Sequence, residues 1–247
     1  MISDETKRKL REFGLDDLIE ALNEQEQNDM YTTFTFSERL DKAVDDFYNR
    51  KNASRTKRLL KLAKLRYPEA DVNTMYYEGR SVDRNQILEL STCSYFRTTQ
   101  NIIVNGFTGS GKSFIACALG KAACRHLHRT RYYRMPELME VLNLATQTGK
   151  SISSTVTRLA NFHLLIIDEW LLDIPSDVEL KYLLEILEKR YDIWPTIFCT
   201  QYKISEWHPR LGGAVFADAI MDRIVHNSIV VSSGTYNMRE FLSKQSI

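Results

Sequence analysis

Hydrophobic residues change their spacing near residue 100. Beyond this point, short apolar runs alternate with longer stretches of helical periodicity. Strands are predicted over residues 101–105, 130–134, 162–167, 196–200 and 228–232. Helices are predicted between them, over about 112–127, 136–147, 152–161, 177–191 and 214–227. Because strands that alternate with helices build parallel sheets, we expect an α/β fold with a parallel five-stranded sheet flanked by helices on both faces.

The first hundred residues are predicted to be mostly helical. Four apolar residues recur at helical spacing, and Ser37 is a candidate N-cap for their helix. They are Phe36, Leu40, Val44 and Phe47. A second, amphipathic helix is predicted over residues 53–66, before Pro68, and residues 67–90 show no regular pattern. We therefore expect a small all-helical N-terminal domain over residues 1–80 and the α/β domain over residues 81–247.

Charge is distributed unevenly along the chain, although the formal net charge is only +1. Residues 1–48 contain thirteen acidic and six basic side chains. Residues 50–66, which we call the basic stretch, contain eight basic side chains and no acidic one. Such asymmetry indicates a surface for a partner. Two partners are compatible with it: the phosphates of DNA, and the acidic block of a neighbouring subunit.

The overall composition excludes several classes of protein. With 43% hydrophobic and 26% charged residues, the chain has the composition of a globular protein rather than of a disordered or fibrous one. Its four cysteines have no metal-binding spacing and are expected to be reduced thiols. The N-terminus is charged, unlike a signal peptide, and no apolar run is long enough to span a bilayer. We expect a cytoplasmic protein without membrane partners.

Residues 106–113, with the sequence GFTGSGKS, match the phosphate-binding pattern GxxxxGK[ST] without a mismatch. They follow a predicted strand and open a predicted helix, which is the context that this P-loop (Walker A) motif requires. The glycines allow successive backbone N–H groups to form a nest around phosphates. Lys112 is then expected to contact the β- and γ-phosphates of ATP, and the Ser113 hydroxyl is expected to bind Mg²⁺.

An acid pair, Asp168 and Glu169, follows the apolar run LLII. A strand that ends in two acids brings them to the carboxyl edge of the sheet, where ligands bind in open α/β folds. We expect Asp168 to hold Mg²⁺ and Glu169 to activate the attacking water, as in a Walker B motif. The predicted nucleotide-binding residues are Gly106, Thr108, Gly109, Ser110, Gly111, Lys112, Ser113 and Asp168, with Ser113 and Asp168 as metal ligands.

Two further residues are candidates for catalysis. Gln201 follows the fourth predicted strand and could sense the γ-phosphate, although a simple hydrophilic strand end explains it equally well. Arg223 lies near the end of the last predicted helix, from which an arginine can reach the ATP of a neighbouring subunit. The alternative for Arg223 is a surface ion pair with Asp218 or Asp222.

The order of these motifs resembles that of the AAA+ ATPases over residues 100–239. More closely, nearly the whole chain resembles the IstB-like transposition helper ATPases, which are relatives of the DnaC-type helicase loaders. The segments that support the resemblance are LRYPEA (65–70), ACALGKAAC (116–124), IIDEW (166–170), LLEILEKRY (183–191), TQYKISEWH (200–208) and ADAIMDRIVHNS (217–228).

This resemblance implies an ATP-dependent homo-oligomer that binds duplex DNA without sequence preference and assists the transposase of the same mobile element. It assigns catalytic roles to Glu169, Gln201 and Arg223. The family's closing motif maps imperfectly onto residues 234–239, so the role of Arg239 stays open. Candidate DNA contacts are Lys57, Arg58, Lys61 and, between the second and third strands, Lys150.

Three alternatives remain open from the sequence. A helicase loader of the DnaC type would share the ATPase motifs but bind a replicative helicase. A small-molecule kinase would share the P-loop and transfer phosphate to a metabolite. A nucleotide-gated scaffold would bind ATP with negligible hydrolysis.

Overall fold

Five parallel strands form one sheet in the computed structural model, which describes residues 2–148, 151–213, 215–234 and 236–245. The strands are β1 (Asn101–Asn105), β2 (Thr130–Arg134), β3 (Leu164–Asp168), β4 (Thr196–Thr200) and β5 (Ser228–Ser232). Their spatial order is β2-β3-β4-β1-β5, and all four neighbouring pairs are parallel. The predicted parallel five-stranded sheet is confirmed. Only β3 differs, since it begins two residues later than predicted and includes Asp168.

Helices cover this sheet, and most begin and end close to their predicted limits. The helices of this part are α4 (Arg84–Ser91), α5 (Lys112–Arg125), α6 (Met135–Gln147), α7 (Ile152–Ala160), α8 (Asp177–Arg190), α9 (Trp207–Arg210), α10 (Val215–Val225) and α11 (Met238–Gln245). Short 3-10 helices span Ser94–Phe96 and Ile204–Glu206. None of the helices in the described ranges is long and apolar enough to cross a membrane.

The core consists of two layers, one on each face of the sheet. Ile102 and Val104 of β1 pack into one layer together with residues of α4 and α5. Ile103, between them in the sequence, packs into the other layer with residues of α6, α7, α8 and α10. This alternation follows from the pleat, because successive side chains of a strand point to opposite faces. Every residue of β3 and β4 is buried, which explains their continuous apolar runs.

The N-terminal residues are helical, as predicted. They form α1 (Asp4–Glu12), α2 (Asp16–Glu26), a 3-10 helix (Asp29–Thr33) and α3 (Phe36–Ala63). The N-cap prediction for α3 was wrong: Thr35 rather than Ser37 occupies that position. The Thr35 N–H donates to Glu38 Oε2 at 2.8 Å, and the Glu38 N–H donates to Thr35 Oγ1 at 3.4 Å, so the two residues form a capping box.

The chain divides into two compact units, Met1–Arg58 and Leu59–Ile247. The division lies within α3, N-terminal to the boundary expected near residue 80. Its position has a packing cause, because Leu59, Ala63 and Leu65 are buried in the α/β core. Apolar side chains on the last turns of α3 therefore belong to the larger unit.

Part of the basic stretch is neutralised within the smaller unit. Arg50 pairs with Glu24 at 2.5 Å and with Glu20 at 3.2 Å, and Lys51 pairs with Asp17 at 3.4 Å. The first cations of the basic stretch therefore already have acidic partners on α2. The net positive charge that remains is concentrated further along α3.

Aromatic rings and two histidines form a stack at the amino edge of the sheet. Phe96 stacks on His128 at 3.7 Å between centroids, and His163 stacks on Trp194 at 4.3 Å. The two histidines meet edge to face at 5.8 Å. Burial lowers the pKa of His128 from 6.5 to about 4, and the neighbouring His163 lowers it further in the same direction.

We predict that acid destabilises the protein through His128. Its pKa is lower in the folded state than in the unfolded state. Between pH 6.5 and about 4, His128 therefore binds a proton in the unfolded chain but stays neutral in the folded chain. The free energy of unfolding should therefore decrease as the pH decreases through this range. We expect a loss of roughly 1–3 kcal/mol from this residue, a reduced figure because water partly screens the side chain. Urea unfolding of wild type and His128→Phe at several pH values measures the effect.

The variant should show a shallower loss of stability with acid than the wild type. His226→Gln, a substitution of an exposed histidine outside the stack, is the control and should keep the wild-type slope. Equal slopes for wild type and His128→Phe would contradict the prediction.

Candidate nucleotide-binding site

The P-loop connects the carboxyl end of β1 to α5, and its glycines are required by the backbone. Gly109 and Gly111 have φ values of +83° and +92°, in the left-handed region that favours glycine. A Cβ on Gly109 would also lie 2.5 Å from Asn237 Oδ1. The loop therefore turns tightly into α5, whose first residues, Lys112 and Ser113, carry the predicted phosphate and metal contacts.

Side chains of the P-loop divide into two groups. Lys112 Nζ donates to the carbonyls of Gly106 and Phe107 at 2.7 and 2.8 Å, and burial lowers the pKa of its ammonium group. Lys112 and Ser113 line the cavity described below. Ser110 instead is buried, and its hydroxyl contacts that of Ser233 at 2.5 Å. The Ser110 side chain therefore stabilises the loop and does not face the cavity.

The acid pair is held by hydrogen bonds at the end of β3. Asp168 is 2% exposed, and its Oδ2 accepts a hydrogen bond from the Tyr132 hydroxyl at 2.6 Å. Its Oδ1 accepts from the backbone N–H of Glu169 at 2.8 Å. Glu169 has a φ of +58°, which is unusual for a residue with a long side chain. Its carboxylate faces Arg66 Nη1 at 3.3 Å and Arg134 Nη1 at 3.8 Å.

A cavity of about 390 Å³ joins the P-loop to the acid pair, a volume typical of small-ligand sites. Its lining includes residues from the P-loop, from the ends of β3 and β4, and from two segments outside the sheet. Residues from these sources include Thr108, Gly109, Gly111, Lys112, Ser113, Asp168, Glu169, Gln201, Arg66, Met75, Tyr76, Arg80, Met238 and Arg239. The structure thus brings most of the predicted site residues together, and Gln201 accepts a hydrogen bond from Thr108 Oγ1 at 2.8 Å.

Sequence reasoning missed the contribution of residues 66–80, which showed no regular pattern. Arg80 is the clearest case, since its Nη2 donates to the Ser110 carbonyl at 2.6 Å and its Nη1 to the Tyr76 carbonyl at 2.9 Å. It therefore ties this segment to the P-loop. Arg66 was assigned only to the basic stretch. The segment LRYPEA, which supported the family resemblance, was the signal that could have pointed to it.

Residues near the C-terminus close another side of the cavity. The Met238 N–H donates to the Gly109 carbonyl at 2.9 Å, and the ring of Phe241 packs on Tyr76 at 4.6 Å. Arg239, whose role the sequence left open, lines the cavity. Helix α11 thus borders the phosphate-binding loop.

The donor set fits ATP with Mg²⁺ rather than an all-protein metal site. Within the described ranges there is no group of three or more histidine, cysteine, aspartate or glutamate side chains that could hold a metal ion. Mg²⁺ commonly keeps several waters and takes one or two protein ligands together with substrate phosphates. Ser113 and the buried carboxylate of Asp168, which line the same cavity, meet that requirement.

Arg223 does not line this cavity. The Arg223 carbonyl accepts a hydrogen bond from Asn101, at the amino end of β1, and its guanidinium pairs with Glu188 at 2.6 Å and Asp222 at 3.2 Å. Arg223 is therefore at the edge of the sheet opposite to its own P-loop. Three candidates on α3 are exposed: Lys57, Arg58 and Lys61. Lys150 lies outside the described residues.

A P-loop after β1, an acid pair after β3 and the strand order 2-3-4-1-5 define the class of protein, an ATPase of the AAA+ type. The sequence matches the family of IstB-like ATP binding proteins over residues 8–246, and the chain belongs to that family. The resemblance noted from the sequence is thereby confirmed.

Relatives and solved structures agree with this assignment. The insertion sequence ATP-binding protein y4uH of Sinorhizobium fredii is 33% identical over 239 residues, covering 97% of this chain and 96% of its own. The AMPPCP-bound DnaA of Aquifex aeolicus superposes with a TM-score of 0.56 at 16% identity, over 72% of this chain and 55% of DnaA. The DnaC helicase loader gives 0.53 at 20% identity, over 68% and 98%. At these identities the two structures show the shared fold alone.

We predict that Lys112→Ala abolishes ATP binding without unfolding the protein. The Lys112 ammonium group contacts only loop carbonyls, so its loss removes a phosphate contact but no core packing. Titration with a fluorescent ATP analogue should show at least about 100-fold weaker binding, with an unchanged thermal transition.

Lys121→Ala is the matched control, because Lys121 lies on the same helix and pairs with Asp71, away from the cavity. It should bind ATP like the wild type. Tight binding by Lys112→Ala would refute the assignment of the P-loop.

Proposed function

We propose that this protein is an ATP-dependent, DNA-binding oligomer that assists the transposase of its own mobile element. It would load onto duplex target DNA without sequence preference and stimulate the transposase there. The observation that carries the proposal is the likeness to insertion sequence ATP-binding proteins over almost the whole chain. The arrangement of the ATP site and of the exposed cations on α3 supports it.

At the nucleotide site, each side chain has a distinct role in this proposal. Bound ATP and Mg²⁺ would supply the bond to be hydrolysed and the charge that polarises it. The P-loop amides and Lys112 would bind the phosphates, and Ser113 and Asp168 would hold the metal ion. Glu169 would take a proton from water, and Gln201 would orient that water.

Hydrolysis would require a second subunit. Arg223 lies far from its own P-loop, at the amino edge of the sheet, so it could contact a nucleotide only in a neighbouring molecule. Its pairing with Glu188 and Asp222 places the guanidinium at the surface in a defined orientation. An arginine supplied in trans stabilises the charge that develops during phosphoryl transfer.

Mixing two inactive variants tests this contribution. Glu169→Gln and Arg223→Ala should each hydrolyse ATP at least about 100-fold more slowly than the wild type. A mixture should recover part of the activity, because some interfaces combine an intact Glu169 with an intact Arg223. Steady-state phosphate release measures the recovery.

Arg97→Ala, an exposed arginine substitution near the same edge of the sheet, should keep wild-type turnover and serves as the control. A mixture that stays as slow as its components would argue against the role of Arg223 in trans. Wild-type turnover by Glu169→Gln would remove Glu169 from the mechanism.

DNA binding is assigned to the later part of the basic stretch. Arg50 and Lys51 are engaged with acids of α2, whereas Lys57, Arg58 and Lys61 are exposed on α3. Cations on a helix surface neutralise backbone phosphates and carry no information about base sequence. This distribution supports binding to duplex DNA of any sequence.

We predict that replacing Lys57, Arg58 and Lys61 together with glutamine weakens DNA binding uniformly across sequences. Three lost phosphate contacts should reduce the slope of log K against log salt by roughly three. Fluorescence anisotropy with random duplexes at several salt concentrations, with ATP and Mg²⁺, provides the measurement, and sedimentation reports whether large complexes form.

The control is Arg50→Gln with Lys51→Gln on the same helix. Equal slopes for the triple variant and wild type would exclude this surface.

A helicase loader is the second candidate, supported by the fold shared with the DnaC loader. Both functions require the same ATP site, and they differ in the partner. Stimulation of the transposase encoded beside this gene favours the first, whereas binding to a replicative helicase favours the second.

A further inference from the structure

We propose that Arg66 and Tyr132 act together as positioning residues for both members of the acid pair. Arg66 Nη1 lies 3.3 Å from Glu169 Oε1, and the Tyr132 hydroxyl donates to Asp168 Oδ2 at 2.6 Å. The two contacts therefore fall on neighbouring residues of the chain. This inference rests on the catalytic roles proposed above for Asp168 and Glu169.

Tyr132 reaches Asp168 from the neighbouring strand. β2 and β3 pair in register with Tyr132 opposite Ile166, so the tyrosine side chain lies beside the end of β3. Tyr132 and Asp168 are buried, at 6% and 2% exposure. A buried carboxylate needs hydrogen-bond donors in place of water. The Tyr132 hydroxyl supplies one of these donors, at 2.6 Å from Asp168 Oδ2.

The Tyr132 hydroxyl donates to one oxygen of Asp168, and the Glu169 N–H donates to the other. The plane of this carboxylate is therefore defined by two donors. Its remaining lone pairs stay available for a metal ion or its water ligands.

Arg66 is anchored to the larger unit before its side chain reaches the site. Lys64 ends α3 with a φ of +50°, and Leu65 is buried in the core, so the backbone leading to Arg66 is held on both sides. A guanidinium is not deprotonated in proteins, so Arg66 carries a full positive charge at the site. It therefore attracts the Glu169 carboxylate, whose Oε1 lies 3.3 Å from Arg66 Nη1.

Arg134 is a weaker candidate for the same role. Its guanidinium lies 3.8 Å from Glu169 Oε2 but makes two 2.9 Å contacts with Glu137 Oε1. Arg66 lies closer to Glu169 than Arg134 does. Among the described residues, no other acidic side chain lies within ion-pair distance of Arg66. Since Glu169 has a left-handed backbone, the position of its carboxylate depends on such side-chain contacts.

Kinetics and metal binding of three variants test the proposal. Arg66→Gln should lower kcat for ATP about 10- to 100-fold, with KM and ADP affinity nearly unchanged, because a misplaced base slows the reaction rather than binding. Arg66→Lys should recover part of kcat. Tyr132→Phe, which keeps the buried ring, should weaken Mn²⁺ binding to the ADP complex about 10-fold, measured by electron paramagnetic resonance.

A double variant separates positioning from a structural role. In a Glu169→Gln background, Arg66→Gln should change the residual rate less than about twofold, because the group that it positions is already lost. Arg158→Gln, a substitution of an exposed arginine on α7 that does not line the cavity, is the control and should behave like the wild type.

Three results would overturn the proposal: wild-type kcat for Arg66→Gln, an equal loss of rate in both backgrounds, or unchanged Mn²⁺ binding by Tyr132→Phe. Wild-type turnover by Glu169→Gln alone would instead refute the proposed role of Glu169. The two failures are therefore distinguishable.

Discussion

The burial of a parallel sheet on both faces is the constraint on which this structure depends. Parallel strands place all their carboxyl ends at one edge, and side chains along the strands must be apolar because both faces are covered. Polar side chains are therefore confined to the positions where the strands end. The P-loop after Asn105, the acid pair at Asp168 and Glu169, and Gln201 after Thr200 are consequences of this arrangement. The parallel pairing of β4 with both β1 and β3 brings them into one cavity.

A second constraint is that the sheet edge alone does not enclose a ligand. Residues 66–80 and helix α11 supply the other walls of the cavity, and Arg80 links the first of these segments to the P-loop through the Ser110 carbonyl. The ATP site of this protein is thus assembled from the sheet and from chain on both sides of it. Changes in either flanking segment would reach the phosphate-binding loop through short hydrogen bonds.

The charged residues at the two edges of the sheet have different partners. At the carboxyl edge, Arg66, Lys112 and Arg239 surround the two acids with positive charge, which suits a polyanionic ligand. At the amino edge, Arg223 is oriented by Glu188 and Asp222. In the proposed oligomer, Arg223 would complete the ATP site of a neighbouring molecule and so couple assembly to hydrolysis.

The sequence by itself determined the α/β class, the five strands and the motifs of the ATP site, because hydrophobic period and fixed spacing are local properties of the chain. The tertiary structure decided what depends on residues distant in sequence. Spacing could not show that Leu59 belongs to the α/β core or that Tyr132 donates to Asp168. Nor could it separate Arg66, which faces Glu169, from the other cations of the basic stretch, because strand pairing and chain packing alone bring these groups together.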